Sequence, residues 1–177
     1  MNRFTRVFPI IASLLGAASF VACTDEATAP SVPQFAEVGV ATSTVTPCKL
    51  QPAAFTSALI GPEGGVLRAG KNVFTVPAGA LNTRVFITMK LARDNSNHVI
   101  FLPDGLVFNR DHLPHLLMSY QDCLVTRGAR PSVAYVNNDL GTFEPTPSYV
   151  DPVDQTVEGQ LSHFSDYVLL STYAVVY

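Results

Sequence analysis

The sequence predicts an all-β domain, built as a sandwich or a barrel. Short runs that alternate apolar and polar residues recur along the chain, separated by turn residues. No window carries the 3.6-residue period of an amphipathic helix. Composition agrees. Thirteen Pro and 11 Gly punctuate a 177-residue chain that is 47% apolar and only 14% charged, against about 25% charged for an average globular domain. So few charges exclude a coiled coil or helical bundle and a disordered chain. Acids outnumber bases 14 to 11, which argues against a nucleic-acid partner.

The first element is a leader, residues 1–22. Arg3 and Arg6 precede the apolar run Val7–Ala18, and a small-residue stretch ends at Cys23. This is the layout of a secretory signal. The run is short for a membrane span of about 20 residues, and Pro9 interrupts it. Phe20-Val21-Ala22-Cys23 resembles the lipobox of bacterial lipoproteins, in which the Cys thiol is acylated and the chain is cut just before it. Phe20 stands where Leu is usual. The plain alternative is a cleaved signal with an incidental Cys. Thr24, rather than Asp, follows the Cys, and the resemblance then favours the outer membrane over the inner. Removal of the leader takes two bases and no acid, so the acidic balance deepens.

Residues 23–46 hold the lipidated Cys and a flexible linker. Thr24–Thr46 is rich in Thr, Ala, Ser and Pro without sustained periodicity, a linker composition. As a coil it would reach roughly 25–30 Å. Residues 47–177 are the folded domain. Val73–Val76 is a strand bounded by Asn72 and Pro77. Arg84–Arg93 alternates, with Val85, Ile87, Met89 and Leu91 on one face. Phe86 interrupts the polar face opposite. Val99–Leu102 and Leu106–Phe108 flank the turn Pro103-Asp104-Gly105. Leu116–Cys123 is a further strand. Ser132–Val136 and Gly141–Glu144 flank a hairpin turn at Asn137-Asn138-Asp139. The end, Tyr167–Tyr177, is β-rich.

Gly61-Pro62-Glu63-Gly64-Gly65 leads through Val73-Phe74-Thr75-Val76-Pro77-Ala78-Gly79-Ala80-Leu81 into the alternating strand Val85–Leu91. This resembles the opening of the ZU-five domain, the β-sandwich of zona occludens proteins, netrin receptors and ankyrins. Leu102–Phe108 looks like the family's central segment, and His163-Phe164-Ser165 stands near the C-terminus, where some members carry the same triplet. The resemblance spans about Ser57–Leu170. It implies a single antiparallel β-sandwich that acts as an interaction or scaffold module without turnover chemistry. Local chemistry agrees: Gly64-Gly65 permits a tight turn, Pro77 ends a strand, and Gly79 permits a positive φ.

Few residues carry chemistry. If Cys23 is lipidated, Cys48 and Cys123 remain as the single intramolecular disulfide pair in an oxidising compartment; two buried thiols are the alternative. Gly65–Asn72 approaches a phosphate-binding loop, but Asn72 replaces the Ser or Thr after Lys71 and a strand follows where a helix is needed. No nucleotide or other cofactor is expected. His98, Asp104, Asp111, His112 and His115 read as solvated loop residues rather than a metal site, since Pro114 opposes a helix. His163-Phe164-Ser165 could support a single self-cleavage between Phe164 and Ser165, by attack of the Ser hydroxyl on the preceding carbonyl with His assistance and backbone strain. The plainer role for Phe164 is a core anchor. A cell-wall or glycan-binding module using Tyr side chains is a third option. The expected partner is another envelope protein, with the membrane reached through Cys23.

Overall fold

The structure, a computed structural model, describes residues 42–138 and 141–173. The leader, Cys23 and the linker up to residue 41 lie outside these residues, as do Asp139 of the hairpin turn and the last four positions. The described residues form twelve strands: β1 (Thr42–Val45), β2 (Phe55–Ile60), β3 (Gly65–Ala69), β4 (Asn72–Val76), β5 (Val85–Leu91), β6 (His98–Leu102), β7 (His115–Ser119), β8 (Arg130–Asn137), β9 (Thr142–Pro145), β10 (Ser148–Asp151), β11 (Thr156–Gln160) and β12 (Asp166–Tyr173). They form two antiparallel sheets packed as a β-sandwich. The larger has seven strands in the order β2-β5-β6-β12-β8-β9, with β1 also paired to β12; the smaller runs β10-β11-β7-β4-β3.

Period two produces this directly. In β5, Ile87, Met89 and Leu91 are buried while Phe86 and Lys90 face outward. In β4, Asn72, Phe74 and Val76 are buried. Inward rows from both sheets interdigitate as in other sandwich cores. Phe74 of the smaller sheet meets Phe101 of the larger at 4.6 Å between ring centroids. Phe108, Phe164 and Tyr167 complete an aromatic centre. Polar staples cross the core as well. The Asn72 and Asn97 amides donate to each other's carbonyls at 2.7 and 3.0 Å, Asn97 also donates to the Ser119 carbonyl, and Asn72 accepts from the Ser119 N–H. Every one of these groups is buried, and pairing removes the cost of burying them unsatisfied.

Most strand expectations hold: β4, β5, β6, β7, β8, β9 and β12 lie where alternation places them, to within a few residues. Strands β2, β3, β10 and β11 are additional to those expected, and three expected boundaries move. The sandwich begins before Pro47. Thr42–Val45 pairs along Leu170–Tyr173, and the buried Thr46 hydroxyl lies 2.8 Å from that of Ser171. Thr and Val suit a strand as well as a linker, so composition alone misplaces this boundary. Leu106–Phe108 is an extended loop with one isolated bridge, Val107 to His163. The β7 strand stops at Ser119, because the Cys123 N–H turns back to the Tyr120 carbonyl.

The turn chemistry follows the residues. Gly64 has φ +78°, and a Cβ there would lie 2.4 Å from the Val76 carbonyl oxygen. Gly79 has φ +83°, which lets the chain leave β4 after Pro77 and enter β5 in the other sheet. Cys48 and Cys123 form a disulfide. The Cys48 N–H donates to Asn95 and the Leu124 N–H to Pro47, so the bond fastens the segment after β1 to the turn after β7.

Candidate functional site

The His163 triplet lies where the chain leaves the smaller sheet at β11 and enters the larger at β12. Val157 and Leu161 are buried in one alternation, and Phe164 is buried out of step with it because the chain changes sheets here. Phe164 has no exposed surface. Its ring stacks on Phe101 at 4.7 Å and 8° and meets Phe108 edge-on at 5.0 Å. The backbone is held on both sides. The Phe164 N–H donates to the Leu106 carbonyl at 2.7 Å, its carbonyl accepts from the Gly105 N–H at 2.9 Å, and the Ser165 carbonyl accepts from Phe101. His163 is half-buried; its Nδ1 lies 3.0 Å from the Ser162 hydroxyl and its ring packs edge-on against Tyr135. The Tyr167 hydroxyl donates to the His163 carbonyl at 2.7 Å. Burial, with neighbouring Tyr135, pushes the Tyr167 phenol well above its ordinary pKa. Among the described non-glycine residues only Gln155 has a positive φ, so the triplet carries no left-handed strain.

The other singled-out residues separate in space. Gly65–Asn72 is the β3–β4 hairpin, and Lys71 forms an ion pair with Asp122 at 2.7 Å. His98 lies between Asp94, at 3.1 Å, and Asp166, at 3.5 Å, while His115 pairs with Glu158 at 2.6 Å. Among the described residues no three His, Cys, Asp or Glu side chains gather as a metal site. Tyr120 and Tyr167 are buried, Tyr135 is half-buried, and Tyr149 is 73% exposed.

The two outer faces of the sandwich differ in chemistry. On the larger sheet, Phe55 and Leu59 of β2, Phe86 of β5 and Leu102 of β6 are 77%, 58%, 65% and 50% exposed. Leu59 and Phe86 are direct cross-strand partners, and Leu102 pairs with Thr88 two residues along β5. The patch includes β2, an edge strand of its sheet. Sequence reading passes over this cluster. Its signal was Phe86, an aromatic ring on the otherwise polar side of an alternating strand.

No protein-family model matches this chain, and no curated protein matches it in sequence. The disulfide points to an oxidising, extracytoplasmic compartment.

Proposed function

We propose that this domain is a non-catalytic interaction module of the bacterial cell envelope, tethered by lipid at Cys23 and docking another envelope protein through the outer face of β2, β5 and β6. The ZU-five-like segments and the lipobox-like residues support the class and the tether, with outer-membrane placement from Thr24. One observation carries the docking surface: four large apolar side chains stand at least half exposed on adjacent strands, beside an edge strand whose backbone can accept a further strand. Exposed apolar side chains grouped on one face in this way mark partner interfaces. The ordinary backbone at His163–Ser165 and the packed Phe164 ring favour anchoring over scission.

A photo-crosslinking residue in place of Phe86, in the full chain in its native envelope, tests the surface. A discrete adduct that disappears with Leu59→Asp supports it; no adduct, or one indifferent to that change, overturns it. Labelled palmitate that enters the wild-type chain and is lost in Cys23→Ala supports the anchor. Equal labelling, or none, overturns it.

A further inference from the structure

The opposite face of the sandwich carries different chemistry. On the smaller sheet, register aligns the outward residues in two cross-strand rows. One runs Tyr149–Glu158–Leu117–Val73–Arg68, and the next runs Gln160–His115–Thr75–Val66. At about 4.8 Å between strands, the first row crosses five strands and spans about 19 Å, and the second crosses four and spans about 14 Å. Tyr149 is 73% exposed at one end; the chain has no Trp, so this is the largest ring offered on that face. Beside it lies a hollow of about 310 Å³ lined by Tyr149, Pro147, Glu158, Gln160 and His115. A second of about 310 Å³ shares Gln160 and His115 and reaches Arg110 and His112. A third of about 230 Å³ continues past Gln160 to Tyr135 and His163. The first two hollows reach the size of small-ligand sites.

We infer that this face binds an extended polysaccharide chain, with the Tyr149 ring as stacking platform and Glu158, Gln160, His115, Thr75 and Arg68 as hydrogen-bonding partners. The chemistry selects the occupant. A sugar ring presents C–H groups on its faces and hydroxyls around its edge. An exposed Tyr ring suits the face. Carboxylate, amide, imidazole, hydroxyl and guanidinium together offer both donors and acceptors to the edge. The 2.6 Å contact between His115 and Glu158 holds two of these groups in place before ligand arrives. Charge excludes the main competitors. The rows carry one guanidinium and one carboxylate, so neither a phosphate backbone nor a strongly acidic peptide finds the basic surplus it needs. The hollows beside Tyr149 and His115 are open to solvent rather than enclosed, which fits a chain of repeating units.

The test uses the intact purified chain against chitohexaose, cellohexaose and purified peptidoglycan sacculi, the first two by calorimetric titration and the third by co-sedimentation. Retention on sacculi or chitohexaose alone assigns an amino-sugar polymer; cellohexaose alone assigns a neutral glucan. Tyr149→Ala should weaken whichever binds by about tenfold or more, and Gln160→Ala by several-fold, with unchanged circular dichroism and thermal midpoint. Phe86→Asp should leave glycan binding intact, which separates this site from the protein-docking face. No binding to any of the three at millimolar sugar overturns the inference, as does binding that survives Tyr149→Ala.

Discussion

Truncating Phe164 measures how much of the fold rests on the crossing between sheets. Phe164 is fully buried and meets three other Phe rings, with centroids at 4.7 Å (Phe101), 5.0 Å (Phe108) and 5.3 Å (Phe74). Phe→Ala in a core costs about 3–5 kcal/mol, from lost transfer energy and the cavity left behind. Ring pairs add about 0.5–1.5 kcal/mol beyond area. Both sheets and a loop contribute to this ring's surroundings, so collapse around the hole is restricted and the upper end applies, about 4–5 kcal/mol. Domains of this size hold about 5–15 kcal/mol in total. Urea titration followed by circular dichroism at 25 °C, with the disulfide kept oxidised, reads the loss. At a slope of about 1.5 kcal/mol/M the midpoint falls by about 3 M. Phe86→Ala is the control: its ring is 65% exposed, and removing it should shift stability by no more than about 0.5 kcal/mol. A loss under about 2 kcal/mol for Phe164→Ala, or equal losses for the two variants, would refute the assignment of Phe164 as the anchor.

Removing the disulfide by changing both Cys48 and Cys123 to Ala opens a 75-residue loop, and chain entropy predicts a loss of about 4 kcal/mol; unchanged urea midpoints would contradict this. Asp94 gives stability a pH dependence. Burial pushes its carboxyl pKa up, but hydrogen bonds from Ser96 and His98 outweigh that and hold it below the ordinary value. A carboxyl depressed in the folded state contributes stability above its unfolded pKa of about 3.9 and loses it as pH falls through the folded value. Acid titration of unfolding should therefore be shallower below about pH 4 in Asp94→Asn, and identical curves would remove Asp94 as a cause. Intact mass after prolonged incubation should show the uncut chain; a released Ser165–Tyr177 fragment, abolished by Ser165→Ala, would establish cleavage instead.

The amphipathic alternation of β5 is readable residue by residue, because each side chain's face is set by strand geometry alone. Pro77 and Gly79 are legible for the same reason: they act through their own backbone. The Cys48–Cys123 bond was legible by parity once Cys23 is set aside. The Asn72–Asn97 pair was not, since two amides 25 positions apart give no local sign that they will face each other. The same holds for His98, whose partners Asp94 and Asp166 come from a neighbouring turn and a distant strand.

Readable from the residues alone were the strand-built character of the chain, the place of many of its strands and, with Cys23 set aside, the one pair of cysteines available to join. Each of these depends on short-range periodicity, single-residue backbone limits or counting. Packing was needed to show that Thr42–Val45 belongs to the sheet, that Phe164 lies at the passage between sheets, and that one outer face exposes Phe55, Leu59, Phe86 and Leu102 while the other carries Tyr149 among polar groups. Those depend on cross-strand register between segments far apart in the chain, and register is set by how all the inward rows fit one core at once.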